Sequence, residues 1–206
     1  MTFECLNGIE ITNIKASFKL DTPVEFEYVK DRCQQLTGKL GIVWYHTIPN
    51  IFTIRFSGYT FVLFKRSSTK NTQHCNITGC RYPSDIVEGI QKFLFLIGQP
   101  PKVIDYIIDN FSCYANIGQE ISLDLVYSNI RSIYFFYQPE KCKALEIRCP
   151  PFISESRQDR LCCLLYPSGK CLILGGNNLS EIQAFFDWIK SSVTEKCPAL
   201  VSTMPL

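Results

Sequence analysis

The chain has 206 residues, 46% of them hydrophobic, which is enough to build a packed core in one or two domains. Its formal net charge of +2 excludes a strong overall basic field but not a locally basic surface. No apolar run approaches the roughly 20 residues of a membrane span, and the first ten residues lack the basic and apolar segments of a signal peptide. We therefore expect a globular protein without a membrane partner.

Eleven cysteines raise the question of disulfide bonds or bound zinc. Without a secretory signal, reduced and buried thiols are the expected state. The close spacings are Cys75–Cys80, Cys142–Cys149 and the adjacent Cys162-Cys163, which do not make the two tight pairs of a zinc ribbon. The sequence therefore predicts neither a metal site nor a cofactor.

The first half begins with a predicted strand, because Ile9–Leu20 alternates between apolar and polar residues. Apolar spacings of three and four within Val24–Cys33 then predict a short helix. The polar segment Arg66–His74 is expected to be a surface loop, and Ser57-Gly58 a hairpin turn. The predicted strands after the helix are Gly41–Thr47, Ile51–Phe56, Tyr59–Lys65 and Cys75–Gly79. A closing helix is predicted at Ser84–Ile97, with Ser84 as its N-cap.

The second half repeats this order after a Gln99-Pro100-Pro101 linker. A strand is predicted at Tyr106–Ile117, a short helix at Ile121–Ile130 and a surface loop at Phe152–Asp159. The predicted strands that follow the helix are Ile133–Tyr137, Ala144–Cys149, Arg160–Tyr166 and Lys170–Leu174, with a turn at Pro167–Gly169. A closing helix is predicted at Ser180–Val193, with Ser180 as its N-cap.

The two halves are copies of one unit about 96 residues apart. Ile11–Ile14 corresponds to Ile108–Phe111, Thr78-Gly79 corresponds to Leu174-Gly175, and the closing helices share nearly the same offset. Each half is expected to place its helices on one face of an antiparallel sheet, which gives an α+β fold. The predicted domains are a first repeat at 9–98, a second repeat at 103–193 and a C-terminal tail at 194–206.

These features resemble the core of TATA-box-binding protein over the span Ile9–Val193. That family carries an asparagine in the first strand of each repeat, as Asn13 and Asn110 do here. Its Phe-x-Ser-Gly-Lys motif is similar to Tyr166–Lys170, and its Tyr-Glu-Pro-Glu stirrup is similar to Tyr137–Cys142. The resemblance implies a saddle of two pseudo-symmetric repeats, with a curved antiparallel sheet on the concave side and helices on the convex side.

The resemblance also implies which residues bind DNA. Asn13 and Asn110 donate amide hydrogens to minor-groove acceptors. Phe64 and Tyr166 hold the positions of wedge aromatics that unstack base steps, a mechanism for which this family is itself the standard example. The remaining implied DNA-binding residues are Thr78, Lys15, Ser112, Arg81, Lys170 and Arg148. Glu140 and Gln138 of the stirrup are the implied contacts to a partner protein.

The chain departs from the family at several of these positions. Cys142 replaces one upstream wedge phenylalanine, and Pro49 or Phe52 holds the place of the other. A family threonine becomes Leu174, and the valine after each asparagine becomes Lys15 or Ser112. The sequence therefore predicts a divergent member of the family.

The leading hypothesis is a transcription initiation factor that binds and bends A/T-rich promoter DNA through the minor groove. It would recruit a factor IIB-like protein and RNA polymerase, in the nucleus or in a cytoplasmic factory of a large DNA virus. The alternative is a saddle-shaped protein-interaction module that has lost most DNA affinity, which the low net charge and missing wedges favour. An enzyme is not expected, because there is no P-loop pattern and because His74 and Cys75, as neighbours in a strand, point to opposite faces.

Overall fold

A computed structural model describes residues 7–40, 44–66, 72–130, 132–154 and 161–196. The chain forms two compact units. The first unit is Asn13–Asp109, and the second consists of Asn110 onwards together with the residues that precede Asn13. Each unit has helices on one face of an antiparallel sheet, so the expected α+β class is confirmed.

The elements of the first unit follow the expected order of strand, helix, strands and helix. They are β1 (Ile9–Leu20, which begins in the second unit), α1 (Phe26–Leu40), β2 (Trp44–Ile48), β3 (Ile51–Phe56), β4 (Tyr59–Phe64), β5 (Gln73–Cys80) and α2 (Pro83–Leu96). The strands lie side by side in the order β2-β3-β4-β5-β1, and each neighbouring pair is antiparallel.

The second unit repeats this plan with shorter elements. They are β6 (Tyr106–Asn116, which begins in the first unit), α3 (Leu123–Asn129), β7 (Phe135–Phe136), β8 (Leu145–Arg148), β9 (Cys162–Leu165), β10 (Lys170–Leu174) and α4 (Leu179–Lys196). Its strand order is β6-β10-β9-β8-β7, again antiparallel throughout. The two strand orders correspond element by element, as a duplication requires.

Burial alternates along the strands and separates a covered face from an open face. In β1 the side chains of Ile14, Ala16 and Phe18 are buried, while those of Lys15 and Ser17 point the other way. The covered faces carry the rows of fully buried apolar side chains, and the helices pack there, since each such large side chain stabilises the fold by roughly 1.5–3 kcal/mol. The opposite face of each sheet is left uncovered within its own unit.

Aromatic side chains fill much of the core on the covered faces. The ring centroid of Phe93 in α2 lies 5.7 Å from that of Phe18 and 4.9 Å from that of Phe61. In the second unit the ring centroid of Trp188 in α4 lies 5.7 Å from that of Phe135 in β7. These contacts hold each closing helix against its own sheet.

A bulge interrupts the sheet of the first unit. The pairing of β1 with β5 changes register between Ile14 and Ala16, beside Gly79. Gly79 has a φ of +96° and its counterpart Gly175 has a φ of +93°, which L-amino acids rarely adopt. The Thr78-Gly79 and Leu174-Gly175 pairs identified the duplication in the sequence. The second residue of each pair is glycine because the backbone there has a positive φ.

Substitution of Gly79 is expected to destabilise the first unit more than its φ alone explains. A Cβ atom on Gly79 would lie 2.6 Å from the carbonyl oxygen of Gly58, whereas Gly118 has the same φ of +96° and no atom within 4 Å of its Cβ position. Gly118→Ala should lower the free energy of unfolding by about 1–2 kcal/mol through backbone strain. Gly79→Ala should lower the free energy of unfolding by about 1–2 kcal/mol more than Gly118→Ala, because the turn that contains Gly58 must also move. Urea unfolding of both variants measures the difference, and equal losses would contradict the clash.

Most predicted strands are confirmed. Ile9–Leu20, Ile51–Phe56 and Lys170–Leu174 have the predicted bounds, and the others shift by a few residues at their ends. Both predicted turns are present, with Ser57 at a φ of +53° and Gly169 at +78°. Residues 41–43 and 160, which were expected to begin strands, lie outside the described residues.

The predicted N-caps of the closing helices were wrong. The helix α2 begins at Pro83, and Asp85 in its first turn accepts hydrogen bonds from the backbone N–H groups of Arg81 and Tyr82 at 2.8 and 2.9 Å. The helix α4 begins at Leu179, and Asn178 accepts from the backbone N–H of Ser180 at 2.9 Å. Neighbouring carboxylate and amide groups therefore take the role that was expected of the serines.

Three other expectations also need correction. The helix α1 is not short but spans 15 residues. Gln73 and His74 belong to β5 rather than to a surface loop, because the buried Gln73 amide bonds to the backbone of Val24 and Phe64. Ser154, within the other predicted loop, is buried and its Oγ donates to a Glu181 carboxylate oxygen at 3.0 Å. Residues 67–71 and 155–159 of those segments lie outside the described residues.

The nine cysteines in the described part of the chain are free thiols, and seven of them are buried. Burial raises the pKa of the Cys33 thiol to about 11 and that of Cys113 to about 12. Such thiols stay protonated at neutral pH and serve as small apolar side chains. Within the same described ranges, no group of three His, Cys, Asp or Glu side chains could hold a metal ion. None of the helices there is long and apolar enough to cross a membrane.

Candidate nucleic-acid interface

The open face of each sheet collects most of the residues that the sequence singled out. The first open face consists of Asn13, Lys15 and Ser17 on β1, Asn76 and Thr78 on β5, Thr60, Val62 and Phe64 on β4, Ile51 and Arg55 on β3, and Trp44, His46 and Ile48 on β2. The second open face consists of Asn110, Ser112 and Tyr114 on β6, Lys170, Leu172 and Leu174 on β10, Cys162 and Leu164 on β9, Glu146 and Arg148 on β8, and Phe136 on β7.

Asn13 is held in one orientation on the first open face. Its Oδ1 accepts hydrogen bonds from the Thr78 hydroxyl at 3.0 Å and from the backbone N–H of Gly79 at 2.7 Å. A backbone N–H can only donate, so the atom facing Gly79 must be the oxygen of the amide. The Asn13 NH2 group has no hydrogen-bond partner within the described ranges and is free to donate to a ligand.

Asn110 occupies the corresponding place on the second open face. Its neighbour across the sheet differs, because Leu174 stands where Thr78 stands in the first unit and has no hydroxyl to donate. Among the residues that the structure describes, the Asn110 side chain makes no hydrogen bond. The two asparagines therefore share a position, but only Asn13 is oriented by its own sheet.

Phe64 ends β4 on the first open face, where it is half-buried and lies opposite Ile51 of β3. Ile51 in turn pairs with Ile48, which is 47% exposed, so three apolar side chains lie together at this end of the face. Phe52, one of the two candidates for the upstream wedge, lies instead in the core at 1% exposure and packs against Phe26. Strand alternation thus excludes Phe52 and places Ile51 beside Phe64.

Tyr166 lies directly after β9, in the tight turn that leads to Lys170. Its backbone N–H donates to the Lys170 carbonyl at 2.9 Å, and its carbonyl accepts from Gly169 at 2.9 Å. The side chain is 36% exposed, so it is available to a ligand as Phe64 is. The equivalent of the upstream wedge, Cys142, is exposed in the turn that follows Tyr137.

The candidate phosphate-binding residues divide into two groups. Lys15 and Lys170 lie on the open faces without an ion pair to any other described residue. Arg148 is held on the second open face, because its Nε lies 3.0 Å from a Glu146 carboxylate oxygen and its guanidinium lies 4.5 Å from the centre of the Phe136 ring. Arg81 lies outside both faces, at the start of α2, and its side chain is exposed.

The other expected residues are placed as follows. Thr78 is half-buried beside Asn13, and Ser112 pairs with Leu174. The Ser112 carbonyl accepts a hydrogen bond from the Thr12 hydroxyl at 2.9 Å. Gln138 and Glu140 are both exposed in one turn, in which the Gln138 carbonyl accepts the backbone N–H groups of residues 141 and 142 at 2.9 Å each.

Three residues on the outer strands were missed by the sequence analysis. Trp44 is 46% exposed on the first open face, stacked against His46 at 6.2 Å, with the guanidinium of Arg55 5.1 Å from its ring centre. Ile48 and Ile51 were missed as well. The signal that could have found them is period-two alternation counted outwards from the buried Phe52 and Ile54.

Comparison with known proteins agrees with this architecture. Residues 105–195 match the family model described as "Transcription factor TFIID (or TATA-binding protein, TBP)". Among solved structures, the TBP of Methanococcus jannaschii matches with a TM-score of 0.64 and 19% sequence identity, over 91% of this chain and 98% of that one. No curated protein matches the sequence. The chain therefore has the fold of a TATA-binding protein over the greater part of its length, and residues 105–195 match the family by sequence.

Proposed function

We propose that this protein is a transcription initiation factor that binds the minor groove of A/T-rich promoter DNA through its two open faces and bends the duplex. Each repeat, 9–98 and 103–193, supplies one half of the interface. The observation that carries the proposal is the orientation of Asn13, whose oxygen is bonded within the sheet and whose NH2 group has no hydrogen-bond partner within the described ranges. Minor grooves of A·T pairs offer only acceptors, namely adenine N3 and thymine O2, so a free donor fits them.

Side chains at the ends of the open faces support the proposal that the protein bends DNA. Phe64 with Ile51 in the first unit and Tyr166 in the second are apolar or aromatic side chains at the ends of strands β4, β3 and β9. Side chains of this kind enter partly unstacked base steps at a cost of a few kcal/mol per step, which the larger contact with bent DNA offsets, as in the TATA-binding proteins themselves. We propose that isoleucine replaces the missing upstream phenylalanine in the first unit.

The small net positive charge of the protein limits the number of contacts that it can make with the phosphate backbone of DNA. Lys15, Lys170, Arg148 and Arg81 are the proposed phosphate contacts, and so few contacts imply a shallow dependence of the logarithm of affinity on the logarithm of salt concentration. We propose that the exposed turn with Gln138 and Glu140 recruits a factor IIB-like protein and, through it, RNA polymerase. The proposed site of action is the nucleus, or a cytoplasmic factory if the chain is viral.

A gel-shift series tests the proposal directly. The full chain is mixed with an A/T-rich duplex and with a G/C-rich duplex of the same length, at low salt and at physiological salt. A complex that forms with the A/T-rich duplex and competes poorly with the G/C-rich one supports the proposal. Absence of any complex at low salt would favour the protein-interaction module, which the net charge of +2 also fits.

A further inference from the structure

The central strands of the two open faces differ in chemistry at equivalent positions. Asn76 lies between Ser17 and Val62 in the first sheet, and Leu172 lies between Tyr114 and Leu164 at the same register in the second. The next position outward is Thr78 in the first sheet and Leu174 in the second. Two duplicated positions thus carry a hydrogen-bonding group in the first unit and a hydrocarbon in the second.

The contrast extends to the neighbouring strand. Thr60 of β4 pairs with Thr78, whereas Cys162 of β9 pairs with Leu174. Burial and, to a lesser degree, the nearby Glu146 carboxylate raise the pKa of the Cys162 thiol. The thiol therefore stays neutral, and a neutral thiol forms only weak hydrogen bonds. The middle of the first open face is therefore polar, and the middle of the second is a strip of Leu164, Leu172 and Leu174.

One chemical group in the minor groove of DNA interacts differently with the polar and the apolar open face. A G·C pair carries the same kinds of acceptor as an A·T pair and adds the guanine N2 amino group, a donor that projects into the groove. Against leucine that amino group loses its water and finds no acceptor, which is costly. Against the amide oxygen of Asn76, which has no hydrogen-bond partner within the described ranges, the amino group is satisfied.

We propose that the two repeats read DNA by different rules: the first accepts G·C pairs in its half of the site through Asn76, and the second rejects them through Leu172. The recognised element is then a composite, with one half restricted to A·T pairs and one half permissive. This inference rests on the proposed function, since it assigns specificity within the same interface.

The test uses three duplexes: one of A·T pairs only, one with a G·C pair in one half, and one with a G·C pair in both halves. The two halves of the duplex are otherwise identical, so a complex in which the first repeat lies over the single G·C pair is open to the protein. For the wild type, the Kd of the singly substituted duplex should stay within about threefold of the A·T duplex, and the doubly substituted duplex should bind about tenfold more weakly. Each result is a ratio to the same protein's Kd for the A·T duplex, so changes in overall affinity cancel.

Reciprocal variants sharpen the test. Asn76→Leu should make a single G·C pair cost about tenfold, and Leu172→Asn should bring the doubly substituted duplex to within about threefold of the A·T duplex. Both side chains are half-buried on the open face, and thermal unfolding checks that each variant folds. Inosine·cytosine pairs, which lack the N2 amino group, should remove every penalty.

The outcomes separate this inference from the proposed function. A wild type that is weakened about tenfold by a single G·C pair, or reciprocal variants that leave the ratios unchanged, would overturn the assignment to Asn76 and Leu172. Failure of the wild type to bind the A·T duplex at all would overturn the proposed function and this inference with it.

Discussion

Phe64→Ala is expected to abolish DNA bending while the protein stays folded. The side chain is half-buried at the end of β4 and lies on the open face rather than in the core, so its removal leaves the helix packing intact. If Phe64 enters a base step, its loss removes the contact that offsets unstacking, and the duplex returns to a straight form. Energy transfer between dyes at the two ends of an A/T-rich duplex measures the bend, and affinity should fall by about tenfold or more.

Two further variants make this result interpretable. Phe64→Leu keeps an apolar side chain at the same place and should restore most of the bend. Phe61→Ala, on the covered face of the same strand, removes a fully buried ring and should instead lower the free energy of unfolding by about 3–5 kcal/mol. An unchanged bend in Phe64→Ala would remove Phe64 from the interface.

Asn13→Asp is expected to weaken binding to A/T-rich DNA by about a hundredfold, near the upper end of the roughly 1–3 kcal/mol that a good base contact contributes. A carboxylate can still accept the hydrogen bonds from the Thr78 hydroxyl and the Gly79 N–H, so the local fold should persist. It cannot donate, and it places a negative charge against a polyanion. Fluorescence anisotropy with a labelled duplex gives the Kd.

The matched control is Asn178→Asp. It changes the net charge by the same amount, and aspartate serves as well as asparagine where residue 178 accepts the backbone N–H of Ser180. Since Asn178 lies at the start of α4 and not on an open face, binding should weaken only slightly. Equal losses in the two variants would show that overall charge, and not the Asn13 donor, determines the affinity.

The order of elements could be predicted because it depends on local pattern. In β1 apolar residues alternate with polar ones at Ile9–Thr12 and again at Ile14–Leu20, and the strand has the predicted bounds. The helix starts could not be predicted in the same way, since the side chains that accept backbone N–H groups there are Asp85, for the two residues before α2, and Asn178, for Ser180, rather than the serines. Choosing among several possible capping groups depends on backbone angles that single residues do not reveal.

The candidate site depended on contacts between distant residues. Asn13 was recognised from its repetition at Asn110, but its orientation needs Thr78 and Gly79, some 65 residues away, and a bulge that brings them opposite. Phe52 was, with Pro49, one of two candidates for a wedge because of its place in the alignment with the family, yet alternation in β3 puts it in the core and leaves Ile51 on the open face. The orientation of Asn13 and the choice between Phe52 and Ile51 both depend on strand register, because a shift of one residue moves every side chain of a strand to the opposite face of the sheet.

Replacement of A·T pairs by inosine·cytosine pairs in the bound duplex tests most directly whether the open faces read the minor groove. An I·C pair presents the minor groove of an A·T pair and the major groove of a G·C pair. We expect the Kd of the I·C duplex to lie within about threefold of that of the A·T duplex, because the groups that Asn13 and its neighbours contact are unchanged. A loss as large as that caused by full replacement with G·C pairs would contradict the account.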